Sequence, residues 1–97
     1  MTTIREVQQA VDRALKSEGF YDPWRPDGIR YMTIDTALPK AEAALDLKLT
    51  VEEDFGTYGM VLSAAGVEGR VEINASRKVQ AGGITVPNPD FGTVWTR

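Results

Sequence analysis

The sequence contains no cysteine and no histidine. Without cysteine it can form no disulfide, no zinc–thiolate site and no thiol nucleophile. Without histidine it lacks the commonest general base and the commonest metal ligand. We therefore predict no catalytic residue, no metal site and no cofactor, and the composition favours a non-catalytic protein over an enzyme.

Long apolar runs are also missing, and none approaches the length of a membrane span. The N-terminal residues 1–6 lead directly into an amphipathic pattern, without the apolar stretch of a signal peptide. These two features predict a cytoplasmic protein, of a cell or of a virus's host, that has no membrane partner.

Positive charge is scarce and unevenly placed. The net charge is −3: residues 1–30 are balanced, residues 31–72 carry three basic and eight acidic groups, and residues 73–97 carry three basic and one acidic group. A nucleic-acid binder presents a basic face, and this acidic middle would repel phosphate. We expect no nucleic-acid partner.

The chain has 97 residues, of which 42% are hydrophobic. This length is typical of one domain, and the apolar share suffices for a folded core. We therefore interpret residues 1–97 as a single domain.

Residues 4–18 have the clearest periodicity. Ile4, Val7, Val11 and Leu15 recur at steps of three and four, which places them on one face of a helix. Thr3 and Glu6 fit a capping box at its start. Gly19 fits the left-handed residue that ends a helix, and Phe20 could then fold back on Leu15.

The remainder of the chain predicts mainly strands. We expect a short strand at 29–34 and a strand from about Ala43 to Val51, where apolar and polar residues alternate. Residues 37–42 stay undecided between helix and strand, because they are rich in helix formers and Thr36 could cap a helix. Residues 52–56 indicate a turn.

Four further features belong to the same sheet. The continuous apolar run 59–65 predicts a central strand covered on both faces. Residues 70–80 alternate as one strand, Gly82-Gly83 is a hairpin signal, and residues 84–96 resume as strand with prolines typical of a sheet edge. The predicted fold is α+β, with an N-terminal helix packed on a curved antiparallel sheet of four or five strands.

The proline-rich segment 20–28 predicts a loop and contains the best candidate contact site. Tyr21, Trp24 and Arg25 are residue types enriched at binding hot spots, and prolines on both sides of Trp24-Arg25 would restrict the loop. The alternative is that Trp24 folds down over the core as a lid, since tryptophan is highly buried on average.

Two hypotheses of function follow. The first is a non-catalytic protein-binding module, such as an accessory subunit, an assembly or structural component, or a small inhibitor of the kind that viruses encode. Its partner would be another protein or a second copy, and the edge strand within 84–96 offers a second place for a partner strand. The second is a small enzyme or ligand binder that uses carboxylates in a helix–sheet pocket lined by Asp35, Glu72 or Tyr31.

Overall fold

The computed structural model describes residues 1–20, 27–55, 59–74, 78–87 and 94–97, and it describes only the backbone of residues 27–32, 78, 79 and 87. Within these ranges, two helices precede six strands. The elements are α1 (Ile4–Ser17), α2 (Asp27–Leu45), β1 (Leu49–Asp54), β2 (Gly59–Ala64), β3 (Val71–Asn74), β4 (Lys78–Ala81), β5 (Ile84–Pro87) and β6 (Val94–Thr96).

The strands form two separate antiparallel sheets. One has four strands in the order β1-β2-β3-β6, and the other is the β4–β5 hairpin. Helix α1 packs against α2 and against β6 and β3 of the larger sheet. The predicted α+β class, with an N-terminal helix on an antiparallel sheet, is confirmed, while the curvature of the sheet stays a prediction.

Helix α1 begins and ends as its sequence predicts. Thr3 and Glu6 form a reciprocal capping box. At the other end Gly19 has a φ of 78°, the Gly19 amide donates to the Lys16 carbonyl at 3.2 Å, and the Phe20 amide donates to the Leu15 carbonyl at 3.0 Å. These two hydrogen bonds define a Schellman motif, which turns the buried Phe20 back towards the helix.

Helix α2 corrects the predicted strand at 29–34 and resolves the undecided segment 37–42. Both segments are helical, and Thr36 lies inside the helix rather than at its start. The reason is a second helical period. Ile34, Ala37 and Ala41 follow one another at steps of three and four, and none is more than 1% exposed. Packing of this face overrides the local β preference of the isoleucines and tyrosine.

The predicted strand from Ala43 to Val51 is wrong in its first half, because α2 continues to Leu45 and β1 begins only at Leu49. Asp46, with a φ of 54°, ends the helix in the left-handed conformation. The Glu42 carboxylate then accepts a hydrogen bond from the Leu49 amide at 2.9 Å and joins the helix to the strand.

The acidic run predicted as a turn is also part of β1. Glu52, Glu53 and Asp54 lie in the strand, and a β-bulge between Val51 and Glu53 inserts one extra residue opposite β2. An edge strand tolerates consecutive charged residues because its side chains remain in water.

The alternating segment 70–80 divides between the two sheets instead of forming one strand. Its first part, β3, pairs with β2 until Asn74 lies opposite Gly59, where β2 begins. Its described second part, β4 (Lys78–Ala81), pairs with β5. Arg77, which falls on the inward side of the predicted pattern, lies outside the described residues.

The core lies between the helices and one face of the larger sheet. Its buried members include Val7, Val11, Leu15 and Phe20 from the N-terminal segment, Ile34, Ala37 and Ala41 from α2, and Leu49, Met60, Leu62, Val71, Ile73 and Val94 from the sheet. As predicted for a central strand, β2 is buried on both faces: Met60 and Leu62 face the core, and Val61 between them is also fully buried.

Candidate functional site

The predicted contact residues Tyr21, Trp24 and Arg25 lie outside the described residues. Phe20, the last described residue before them, is fully buried. The choice between a presented hot spot and a core lid therefore stays a prediction.

The carboxylates of the second hypothesis are described only in part. Asp35 is exposed on α2. Glu72 lies between Val71 and Ile73, both of which face the core, so its side chain lies on the opposite face of the sheet. Asp35 and Glu72 therefore line no common pocket between helix and sheet, and the side chain of Tyr31 is outside the description.

The sheet face opposite the helices, here called the outer face, carries a charged bridge. Arg97 donates from Nε to Glu72 at 3.1 Å, and its Nη1 lies 3.5 Å from the Glu53 carboxylate. Val61 lies between Glu53 and Glu72 in the strand register. The bridge therefore joins β3 to β1 across the intervening strand β2.

A shallow cavity of about 440 Å³ lies between the N-terminus and the turn after β2. Residues 1–4 and 66–68 line it, and Glu68 is its one ionisable side chain. One carboxylate cannot act as an acid–base pair, so this cavity offers no catalytic chemistry of that kind.

The β4–β5 hairpin is the described element with the least packing. Its strands contact each other extensively, and no other described helix or strand contacts either of them more than marginally. Gly82 and Gly83 form its turn with φ values of 59° and 81°, as a type I′ turn requires. The predicted Gly82-Gly83 hairpin is confirmed.

The two faces of this hairpin differ in polarity. Gln80 lies opposite Thr85, and the Gln80 amide donates to the Thr85 hydroxyl at 2.8 Å on one face. Because strand side chains alternate, Ala81, Ile84 and Val86 occupy the other face. Ala81 is exposed, Ile84 is 64% exposed and Val86 is half-buried. Among the described residues, this apolar face has no partner element.

The β1 edge is a second exposed surface. In the described part of the larger sheet, β1 pairs only with β2, and every residue from Thr50 to Phe55 is exposed. Two of them are large and apolar, Val51 at 44% and Phe55 at 47% exposure. At the opposite edge, Trp95 on the outer face is 40% exposed.

Comparisons of the chain with protein-family models, with curated proteins and with solved structures find no match. The helices in the described ranges include none that is long and apolar enough to cross a membrane. Within the same ranges, no group of three or more acidic side chains is placed to hold a metal ion. The geometry of the described surfaces is therefore the basis for assigning a function.

Proposed function

We propose that this chain is a non-catalytic protein-binding module and that the β4–β5 hairpin is its main contact element. The observation that carries this proposal is the apolar face of the hairpin, where Ile84 is 64% exposed and no described helix or strand packs extensively.

Stability considerations support a partner for this face. An isolated two-stranded hairpin is only marginally stable in water and gains stability when it packs against another surface. The type I′ turn and the Gln80–Thr85 hydrogen bond hold the hairpin in shape, so less conformational entropy is lost on binding. A preformed apolar surface of this kind favours recognition of a folded protein.

The backbone edges of the hairpin support the same function. Ala81 and Ile84 are the paired residues next to the two-residue turn. Because hydrogen-bonded and non-hydrogen-bonded pairs alternate along an antiparallel ladder, the backbone amides and carbonyls of the next pair, Gln80 and Thr85, point away from the hairpin. On β5 the next outward position is Pro87, which has no amide to donate. The β4 edge is thus the better place for a partner strand, because Pro87 leaves β5 without a backbone donor at that position.

The test compares two variants that add the same charge to opposite faces of the hairpin. Ile84→Glu places a carboxylate on the apolar face, and Gln80→Glu places one on the polar face. Wild type and both variants are used as baits in extracts of the source cells, and captured proteins are quantified by mass spectrometry. Both variants should melt like wild type, because both side chains are exposed.

We expect Ile84→Glu to capture a specific partner at least about tenfold less than wild type does, which corresponds to about 1.4 kcal/mol of binding free energy. Gln80→Glu should capture as much of it as wild type. Equal capture by Ile84→Glu and wild type would show that the apolar face of the hairpin is not the contact surface.

A further inference from the structure

The strand β6 forms one edge of the larger sheet. In the described part of that sheet, β6 pairs only with β3, so the backbone groups on its other side take no part in the ladder. An edge of this kind can pair with a strand of another chain unless something protects it. Helix α1 packs against β6, and we therefore asked which groups of the helix reach this edge.

The strand register shows which backbone groups of β6 point outwards. The Arg97 amide donates to the Arg70 carbonyl at 2.8 Å, so these two residues form a hydrogen-bonded pair at the end of the β3–β6 ladder. Hydrogen-bonded and non-hydrogen-bonded pairs alternate along an antiparallel ladder. The middle residue of β6 therefore bonds to β3, whereas the amides and carbonyls of Val94 and Thr96 point away from β3, towards the free edge.

The side chain of Gln8 meets this edge. Its amide donates to the Val94 carbonyl at 2.5 Å in a partly buried contact. Gln8 follows the buried Val7 on α1, and the Val94 side chain belongs to the same core. A carbonyl in this position is partly sheltered from water and requires a donor from the protein. Gln8 supplies that donor, as the backbone amide of a further strand would.

The two edges of the sheet differ in their other protection. Edge strands commonly resist further pairing by means of bulges and charged side chains. The β1 edge has both, since it contains a bulge between Val51 and Glu53 and an acidic run. The three residues of β6 include no charged residue, and their register with β3 is regular. The contact from α1 is therefore the protective feature that the described structure gives to β6.

We propose that Gln8 is an edge cap: its amide takes the place of a partner strand's amide at Val94 and prevents the β6 edge from pairing with that of a second copy. The contact is thus autoinhibitory towards strand addition. The inference goes beyond the proposed function and is independent of it, because it uses neither the β4–β5 hairpin nor its apolar face.

The first test uses the unmodified protein and measures the exchange of side-chain amide hydrogens with water by nuclear magnetic resonance. Gln9, the next residue along α1, is exposed and provides the matched reference. We expect the Gln8 side-chain amide to exchange about tenfold more slowly than that of Gln9, because a partly buried hydrogen bond protects it. Equal exchange of the two amides would overturn the proposal.

The second test removes the cap. Gln8→Ala deletes the donor, Gln9→Ala is the control, and alanine favours the helix at both positions. In sedimentation velocity, we expect Gln8→Ala to dimerise with an apparent Kd at least about tenfold lower than that of wild type or Gln9→Ala. A Gln8→Ala protein that associates no more than Gln9→Ala would contradict the cap.

The double variant Q8A/T96P identifies the surface through which Gln8→Ala associates. Because the Thr96 amide points away from β3, proline at this position removes an outward donor without breaking the ladder. We expect the double variant to associate as little as wild type. A double variant that associates as strongly as Gln8→Ala would place the contact elsewhere than the β6 edge and would overturn the proposal.

Discussion

Arg97 shows how single residues shape the outer face. Its guanidinium joins carboxylates of β3 and β1, and its side chain is 46% exposed. Exposed ion pairs of this kind contribute about 0–1 kcal/mol and are screened by salt. The bridge therefore contributes little to global stability, and it neutralises part of the carboxylate charge next to the β1 edge.

At the residue scale, the most severe effect is expected at Val11, which is fully buried in the face that α1 turns to the core. Val11→Asp would bury an unpaired carboxylate, at a cost of several kcal/mol, comparable with the whole stability of a small domain. Gln9→Asp, on the exposed side of the same helix, is the control and should change stability little. Circular dichroism and urea unfolding measure both, and a Val11→Asp protein that unfolds like wild type would show that this face is misassigned.

Trp24 and Arg25 separate the two hypotheses for the 21–25 segment. As a hot spot, the pair can be replaced by alanine with the fold intact, at a loss of about 2 kcal/mol of binding per residue. As a core lid, Trp24→Ala should cost about 3–5 kcal/mol of stability. A thermal melt beside a binding assay distinguishes them. Strong destabilisation, with binding lost only in proportion to unfolded protein, would exclude the hot spot.

At the element scale, sequence patterns succeed where one period dominates. In α1 the helical spacing of Val7, Val11 and Leu15 coincides with capping residues at both ends, and the structure agrees. In Gly82-Gly83 the turn chemistry alone identifies the hairpin. The β2 run is continuous and apolar, and the strand is central as predicted.

Prediction fails where two periods overlap. Residues 41–51 alternate as a strand would, yet their alanines and leucines also fit a helix. Packing of Ile34, Ala37 and Ala41 in the core decides for the helix, and the local sequence does not specify that packing. The helical spacing of those three residues is the signal that could have identified α2. The exposure of Ile84 could not be predicted from the sequence, because it depends on which strands pair, and the edge-strand hypothesis for 84–96 stays a prediction.

Pro39 provides a test of α2. It lies inside the helix and is exposed, so it removes one helical hydrogen bond without supplying core contacts. Pro39→Ala should raise the free energy of unfolding by about 1–2 kcal/mol, less than the about 3 kcal/mol of an unaccommodated interior proline. Asp35→Ala, one turn earlier and also exposed, should change it little. A destabilised Pro39→Ala protein would contradict a continuous helix over Asp27–Leu45.

The hairpin turn provides a second test. Gly82 has a φ of 59° with open space around its Cα, and Asn-Gly is strongly preferred in type I′ turns. Gly82→Asn should therefore stabilise the hairpin by about 0.5 kcal/mol and slow amide exchange of residues in β4 and β5. Gly82→Val, which disfavours a positive φ, should accelerate that exchange. The opposite order would show that the turn is not type I′.

At the scale of the whole molecule, the described structure separates a buried core from exposed apolar surfaces. The helices and one face of the four-stranded sheet enclose the core, whereas the hairpin and the β1 edge have large exposed apolar side chains. Exposed surfaces can be varied with little effect on stability, and this division allows binding variants to be tested in folded protein.

The measurement that tests the central claim most directly is hydrogen–deuterium exchange of the chain alone and in complex with its captured partner. Our account predicts that protection on binding is concentrated in residues 78–87, with α1 unchanged. Protection confined to α1 or α2, with the hairpin exchanging as in the free chain, would contradict the assignment of the hairpin as the contact element.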